Sequence, residues 1–148
     1  MKWEVSGKPC SVDFFGAFEP LEVLYDFDGP RLFTVQNRYD DALLVYQCDE
    51  DETASRFIVA PCDAGLLDAV LAGRCSVRDA LAQPWTWVVD QAHGQGVRSA
   101  WRVHLDSIPQ GVLPGGSVML LPSMDPLLSV RMVGASLGPG AGSRATRA

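Results

Sequence analysis

The chain has 148 residues, enough for one domain to bury a single core without disulfide or metal staples. Apolar residues make up 47% and charged residues 20%, which excludes an intrinsically disordered chain. The net charge of −6 argues against nonspecific binding along nucleic-acid backbones, because such binding is driven by Lys and Arg neutralising phosphates.

The charge is unevenly spread. Residues 19–52 hold ten acids (Glu19, Glu22, Asp26, Asp28, Asp40, Asp41, Asp49, Glu50, Asp51, Glu52) against Arg31 and Arg38, whereas residues 91–148 hold five arginines against Asp106 and Asp125. No stretch approaches the ~20 apolar residues of a spanning helix, and the first six residues lack the apolar core of a signal peptide. Cys10, Cys48, Cys62 and Cys75 show no C-x-x-C spacing. They read as reduced, mostly buried thiols, and a cytoplasmic location is the expectation.

Residues 1–18 carry no clear periodicity and read as an irregular segment before a single domain at 19–133. Glu22 to Phe27 alternates Val23, Tyr25 and Phe27 against Glu22, Leu24 and Asp26, as a half-buried strand does. Asp28-Gly29 is a turn signal, and Arg31 to Gln36 resumes as the second strand of a hairpin. After the polar connection 37–41, Ala42 to Cys48 is a continuous apolar run, expected of a central strand covered on both faces. The acidic tetrad Asp49-Glu50-Asp51-Glu52 follows, and then the strand Ser55 to Ala60.

The period then changes. Leu66, Leu67, Val70 and Leu71 share one helical face, with Asp63 placed to cap the N-terminus and Gly73 to end the helix. Ser76-Val-Arg-Asp79 opens a second short helix that stops before Pro84. Strands return at Trp85 to Val89 and, past the Gly turn 93–96, at Val97 to Leu105. In that last strand Val97, Ser99, Trp101, Val103 and Leu105 face the core, and Arg98, Ala100, Arg102 and His104 form a basic, wet face. Val118 to Leu121 is a short apolar segment and Leu127 to Val133 a further edge strand. Residues 134–148, rich in Gly, Pro, Ala and Arg, are expected to be a disordered tail.

Strands in runs, separated by two consecutive helices, give an α+β domain: an antiparallel sheet of about six strands (a meander of four, then a hairpin) with both helices packed on it. Asp28-Gly-Pro-Arg-Leu-Phe33, the acidic hairpin after Tyr46, the strand ending at Pro61, the capped helix, Gly73-Arg-Cys-Ser-Val-Arg-Asp-Ala80 and Leu113-Pro114 together resemble an uncharacterised bacterial family, a domain of unknown function. The resemblance spans about residues 19 to 122. It implies a bacterial origin and transfers no activity and no site residues.

Few residues suggest chemistry. Counted from Asp49, a calcium loop would need Gly at its sixth position and Glu at its twelfth, where this chain has Ala54 and Ala60. Strand parity would also split the tetrad into two pairs, leaving a solvated hairpin tip. Asp26 and Asp28 are close enough in sequence to pair, but Asp before Gly is a turn former in its own right. Cys62 stands before a helix N-terminus, whose dipole would lower its pKa, with only His93 and His104 as possible bases. No metal site and no cofactor are indicated.

The expected function is a non-enzymatic, protein-binding accessory module of a bacterial cytoplasmic system. It would recognise a basic protein partner through Asp26, Asp28, Asp40, Asp41, Asp49, Glu50, Asp51 and Glu52. The alternatives are a small enzyme using carboxylates or Cys62, and a nucleic-acid binder using the strand face of Arg98, Arg102 and His104. Trp101, with the opposite parity, lends that face no aromatic ring.

Overall fold

A computed structural model describes residues 3–26, 28–116, 118–122 and 130–133. Its framework is a seven-stranded antiparallel sheet in the order β1-β7-β6-β5-β4-β3-β2. The strands are β1 (Lys8–Pro9), β2 (Glu22–Asp26), β3 (Pro30–Gln36), β4 (Ala42–Glu50), β5 (Ala54–Pro61), β6 (Trp85–Ala92) and β7 (Val97–His104). Six of them form one uninterrupted meander, because each connection is either a short turn or the helical pair. The seventh, β1, is the strand the sequence does not announce: two residues are too few for any period, and Pro9 is tolerated only because β1 lies at the sheet edge.

Between β5 and β6 run α1 (Ala64–Leu71) and α2 (Val77–Leu81). Asp63 caps α1 by accepting the Leu66 N–H at 2.8 Å, and Ser76 caps α2 by accepting the Asp79 N–H at 3.0 Å. Gly73 follows α1 with φ +73°, the left-handed conformation that ends helices. Both helices cover one face of the sheet, where Val70, Val77, Ala80 and Leu81 meet Leu32, Leu44, Tyr46, Ile58 and Val88. A two-stranded ladder of β8 (Met119–Pro122) and β9 (Val130–Val133) adds Leu120 to that core.

The opposite face is buried as well. A single 3₁₀ turn, Val12–Phe15, and Phe18 lie over Phe33, Val35, Val45, Phe57, Val59 and Val89. The N-terminal segment is therefore a lid on the sheet: the Cys10 N–H donates to the Ala100 carbonyl at 3.0 Å, and the Arg38 N–H to the Phe14 carbonyl at 3.1 Å. Burial on both faces matches the unbroken apolar run of β4. It also alters the expected wet face of β7, since Ala100 is buried beneath Cys10.

Gly7 permits the close approach of this segment, because a Cβ there would stand 2.6 Å from both the Arg102 carbonyl oxygen and Val103 Cγ1. In β2 the expected alternation breaks at two register shifts, so Leu24 and Tyr25 are both buried and Val23 is exposed. Phe27, residues 127–129 and the tail 134–148, for which strand, edge strand and disorder are expected, lie outside the described residues.

Candidate functional site

In an antiparallel meander, alternate connections fall at the same end of the sheet. The turns at 28–29, 51–53 and 93–96 therefore share one end, and the connection 37–41 lies at the other, beside α1. This divides the eight predicted acidic residues. Asp26, Asp28 and residues 49–52 gather at the first end; Asp40 and Asp41 do not join them.

Within the first group the four consecutive acids have four different surroundings. A bulge before Asp49 turns it inward opposite Arg56, where it is 8% exposed and not part of a solvated tip. Glu50 points to the lid side, accepting from Gln47 Nε2 at 3.3 Å and lying 3.8 Å from Arg31. Asp51 forms the turn itself. Its Oδ1 accepts from the Thr53 and Ala54 N–H groups at 2.8 and 3.0 Å and from the Thr53 hydroxyl at 2.9 Å. These donors, the Thr53 N–H foremost, hold its carboxyl far below the usual range. Glu52 is exposed.

Beside this end lies an open cleft of about 590 Å³. Phe18, Phe33 and Phe57 form its floor, and Glu19, Asp28, Glu50, Arg31 and His93 stand on its walls. The three floor rings pack edge to face, with centroids 5.3–6.3 Å apart. Asp28 and Gly29 both have positive φ, 53° and 109°, which presents the Asp28 carboxylate at the rim, while Asp26 accepts the Gly29 N–H at 3.4 Å. Phe18 also has positive φ, 53°, an uncommon conformation for an aromatic residue that costs about 1–2 kcal/mol. Burial of its ring in the floor offsets that cost.

Asp40 and Asp41 border a different cleft of about 530 Å³ with Cys62, Asp63 and Trp87. Two of its carboxylates are committed locally: Asp41 accepts from Asn37 Nδ2 at 3.5 Å, and Asp63 caps α1. Cys62 departs from expectation. Burial first, and then the neighbouring Asp63 charge, push its thiol up to about 11. The α1 N-terminus does not reverse this, because the Asp63 carboxylate already occupies the position that the dipole favours. His93 lies at the opposite end of the sheet, 3.3 Å from the Ser55 hydroxyl.

Sequence parity gives little sign of the buried ion pair of Arg56 and Asp90. These residues face each other in register on β5 and β6, with Nε–Oδ1 2.7 Å and Nη2–Oδ2 2.9 Å. The Arg56 guanidinium also stacks on Trp3 at 5.0 Å and Trp101 at 5.8 Å and donates to the Trp3 carbonyl. Two opposite charges at apolar-parity positions of consecutive strands were the available signal.

On the lid side of β7, Arg102 and His104 stand two residues apart, but a register shift between Ser99 and Val97 takes Arg98 out of their alternation and packs Val97 against the lid-side core, not on the face of Trp101 as expected. Trp101 points to the helix-side core, as its parity predicts. Aromatic rings nevertheless join the basic residues from the neighbouring strand. Trp85 pairs with His104 and Trp87 with Arg102 in the ladder, which puts all four side chains on one face.

Among the described residues no helix is long and apolar enough to cross a membrane, and no three His, Cys, Asp or Glu side chains converge to hold a metal ion. No curated protein and no solved structure matches the chain. One family model does match, over residues 10–92, from the lid to the last described residue of β6. The match begins earlier and ends earlier than the expected 19 to 122, because it takes in the lid and leaves out β7. It covers more than half of the sequence, and the chain belongs to the family of unknown function DUF6575.

Proposed function

We propose that the protein is a non-enzymatic binding module of a bacterial cytoplasmic system, and that it takes a basic segment of a protein partner in the cleft beside the 28–29 and 51–53 turns. The observation that carries this reading is the convergence of Glu19, Asp28 and Glu50 around one aromatic-floored cleft of about 590 Å³. These three carboxylates come from three separate stretches of chain. The wall cations are fewer, and Arg31 lies within ion-pair distance of Glu50. An arginine or lysine side chain entering the cleft would lay its alkyl stem along the wall while its charge meets the carboxylates.

The strained backbone of Phe18 supports this placement, since such conformations concentrate where a surface is held for a ligand. Four free cysteines suit a reducing compartment. The enzymatic alternative is weaker, because Cys62 is held protonated at neutral pH and lies at the far end of the sheet from His93.

Isothermal titration with an arginine-rich peptide, followed by co-purification from the native host, tests the proposal. Binding should weaken at least tenfold when Glu19→Gln, Asp28→Asn and Glu50→Gln are combined, and it should fall as salt rises. Asn is chosen at position 28 because it tolerates the positive φ there. Salt-insensitive binding, or binding unchanged in the triple variant, would count against the cleft.

A further inference from the structure

A second surface, independent of the acidic cleft, lies on the lid side of the other half of the sheet. Five rings follow one another across it. Tyr39 stands 6.1 Å from Phe14, Phe14 lies 5.2 Å from Trp87, and Trp85 packs edge to face on His104 at 5.1 Å. Arg102 bridges the two tryptophans, with its guanidinium carbon 5.5 Å from the Trp87 ring and 5.7 Å from the Trp85 ring.

Tyr39 is 65% exposed and Trp85 51% exposed, the most exposed large aromatic side chains among the described residues. Each has an arginine over its ring: Arg38 over Tyr39 at 5.4 Å, and Arg102 over Trp85. Between them is a hollow of about 320 Å³, lined by Cys10, Ser11, Phe14, Arg38, Tyr39, Trp87 and Arg102. Lys8 pairs with Arg102 in the β1–β7 ladder, so its side chain leaves the sheet on this same face. Asp106, 3.5 Å from His104 Nδ1, lies at one end.

Exposed aromatic residues, each with a guanidinium group over its ring, match the two parts of an unpaired nucleic-acid strand. Bases stack on rings whatever their sequence, and phosphates take the cations. A duplex keeps its base faces covered, so it could use only the cations. An acidic peptide would likewise leave the rings unused.

We infer that the strip Tyr39–Phe14–Trp87–Arg102–Trp85–His104 binds single-stranded nucleic acid, with bases on Trp85 and Tyr39 and a phosphate in the hollow between Arg38 and Arg102. Asp40, Asp41 and Asp63 border Phe14 and Trp87 in the neighbouring cleft, so the phosphate is confined to the hollow between Arg38 and Arg102. The acids around Phe18, Phe33 and Phe57 lie elsewhere, at the end of the sheet formed by the 28–29 and 51–53 turns.

Fluorescence anisotropy of labelled oligothymidylate and oligouridylate of about a dozen nucleotides, a length suited to one such surface, tests this on the full chain. Both strands should bind, and a matched duplex more weakly. Trp85→Ala should weaken binding by about fivefold to a hundredfold, Trp85→Phe should retain most of it, and Arg102→Ala should flatten the salt dependence by about 0.7 of a logarithmic unit. Circular dichroism confirms that each variant folds; Trp85 is half exposed, and Tyr39→Ala serves as a second probe if it does not.

A preference for oligouridylate over oligodeoxyuridylate, which differ only at the 2′ position, would show that the 2′-hydroxyl is read, and equal affinity that stacking and phosphates suffice. The inference fails if neither strand binds, if the duplex binds as well, if Trp85→Ala and Tyr39→Ala leave affinity unchanged, or if only polyglutamate binds. The triple cleft variant should leave oligonucleotide binding intact, which separates this surface from the acidic cleft.

Discussion

Arg56 shows how one residue can tie distant parts of the chain together. It is fixed by a two-pronged ion pair to Asp90, lies opposite Asp49, and holds the Trp3 backbone. Asp90, as its first hydrogen-bond partner, raises the arginine's pKa further, so the charge persists at any working pH. With the two side chains only 7% and 5% exposed, Arg56→Ala should cost about 3–5 kcal/mol in urea unfolding, because Asp90 is left buried and charged. The double change Arg56→Met, Asp90→Leu should recover most of that loss.

Cys62 gives a prediction in pH. Its folded pKa of about 11 lies above the ordinary 9.0. The unfolded chain therefore ionises first as pH rises. The stabilisation from a protonated Cys62 is complete below the unfolded pKa and is lost as pH climbs through the folded one, between about 9 and 11. Native protein treated with a thiol reagent near neutral pH should leave Cys62 unmodified, while denatured protein should react at all four cysteines. A fast-reacting Cys62 would revive the enzymatic alternative.

Among the elements, the lid is the one whose role composition least reveals. Residues 10–18 have no period because only a few of their side chains, chiefly Phe15 and Phe18, point at the sheet. Phe15 is completely buried and packs edge to face on Phe14 at 5.0 Å and on Trp87 at 6.0 Å. Phe15→Ala should destabilise by about 3–5 kcal/mol, a core-sized effect from a segment that reads as irregular. Gly7→Ala should loosen the lid at β1, because its methyl would meet backbone at 2.6 Å. Hydrogen exchange at the Cys10 amide would report that change directly. Asp63→Ala, at a helix cap, should cost only about 1 kcal/mol.

At the scale of the whole molecule, the meander separates two aromatic surfaces, one with Phe18, Phe33 and Phe57 beside acidic turns and one with Trp85 and Trp87 beside Arg102. Hairpin parity places the acidic turns at one end, and the β6–β7 register sets tryptophans beside Arg102 and His104. A basic partner and an unpaired strand would therefore occupy separate surfaces. Combining the cleft variant with Trp85→Ala should weaken peptide binding only as much as the cleft variant does and oligonucleotide binding only as much as Trp85→Ala does, because well-separated sites without shared partners act independently.

Much of the fold was legible in the amino acids because it depends on local rules. The strand runs of β3 to β7, the switch to helical period after Cys62, the caps Asp63 and Ser76 and the Asp28-Gly29 turn are each set by near neighbours in sequence. The tertiary structure decided what depends on contacts across strands. It turned Asp49 inward through a bulge, separated Asp40 and Asp41 from the other acids, raised the Cys62 pKa through burial, and made a lid of an irregular segment. It also brought Trp85 and Trp87 beside Arg102, which parity along β7 alone does not reveal, since a strand's chemistry is shared with whatever strand pairs beside it.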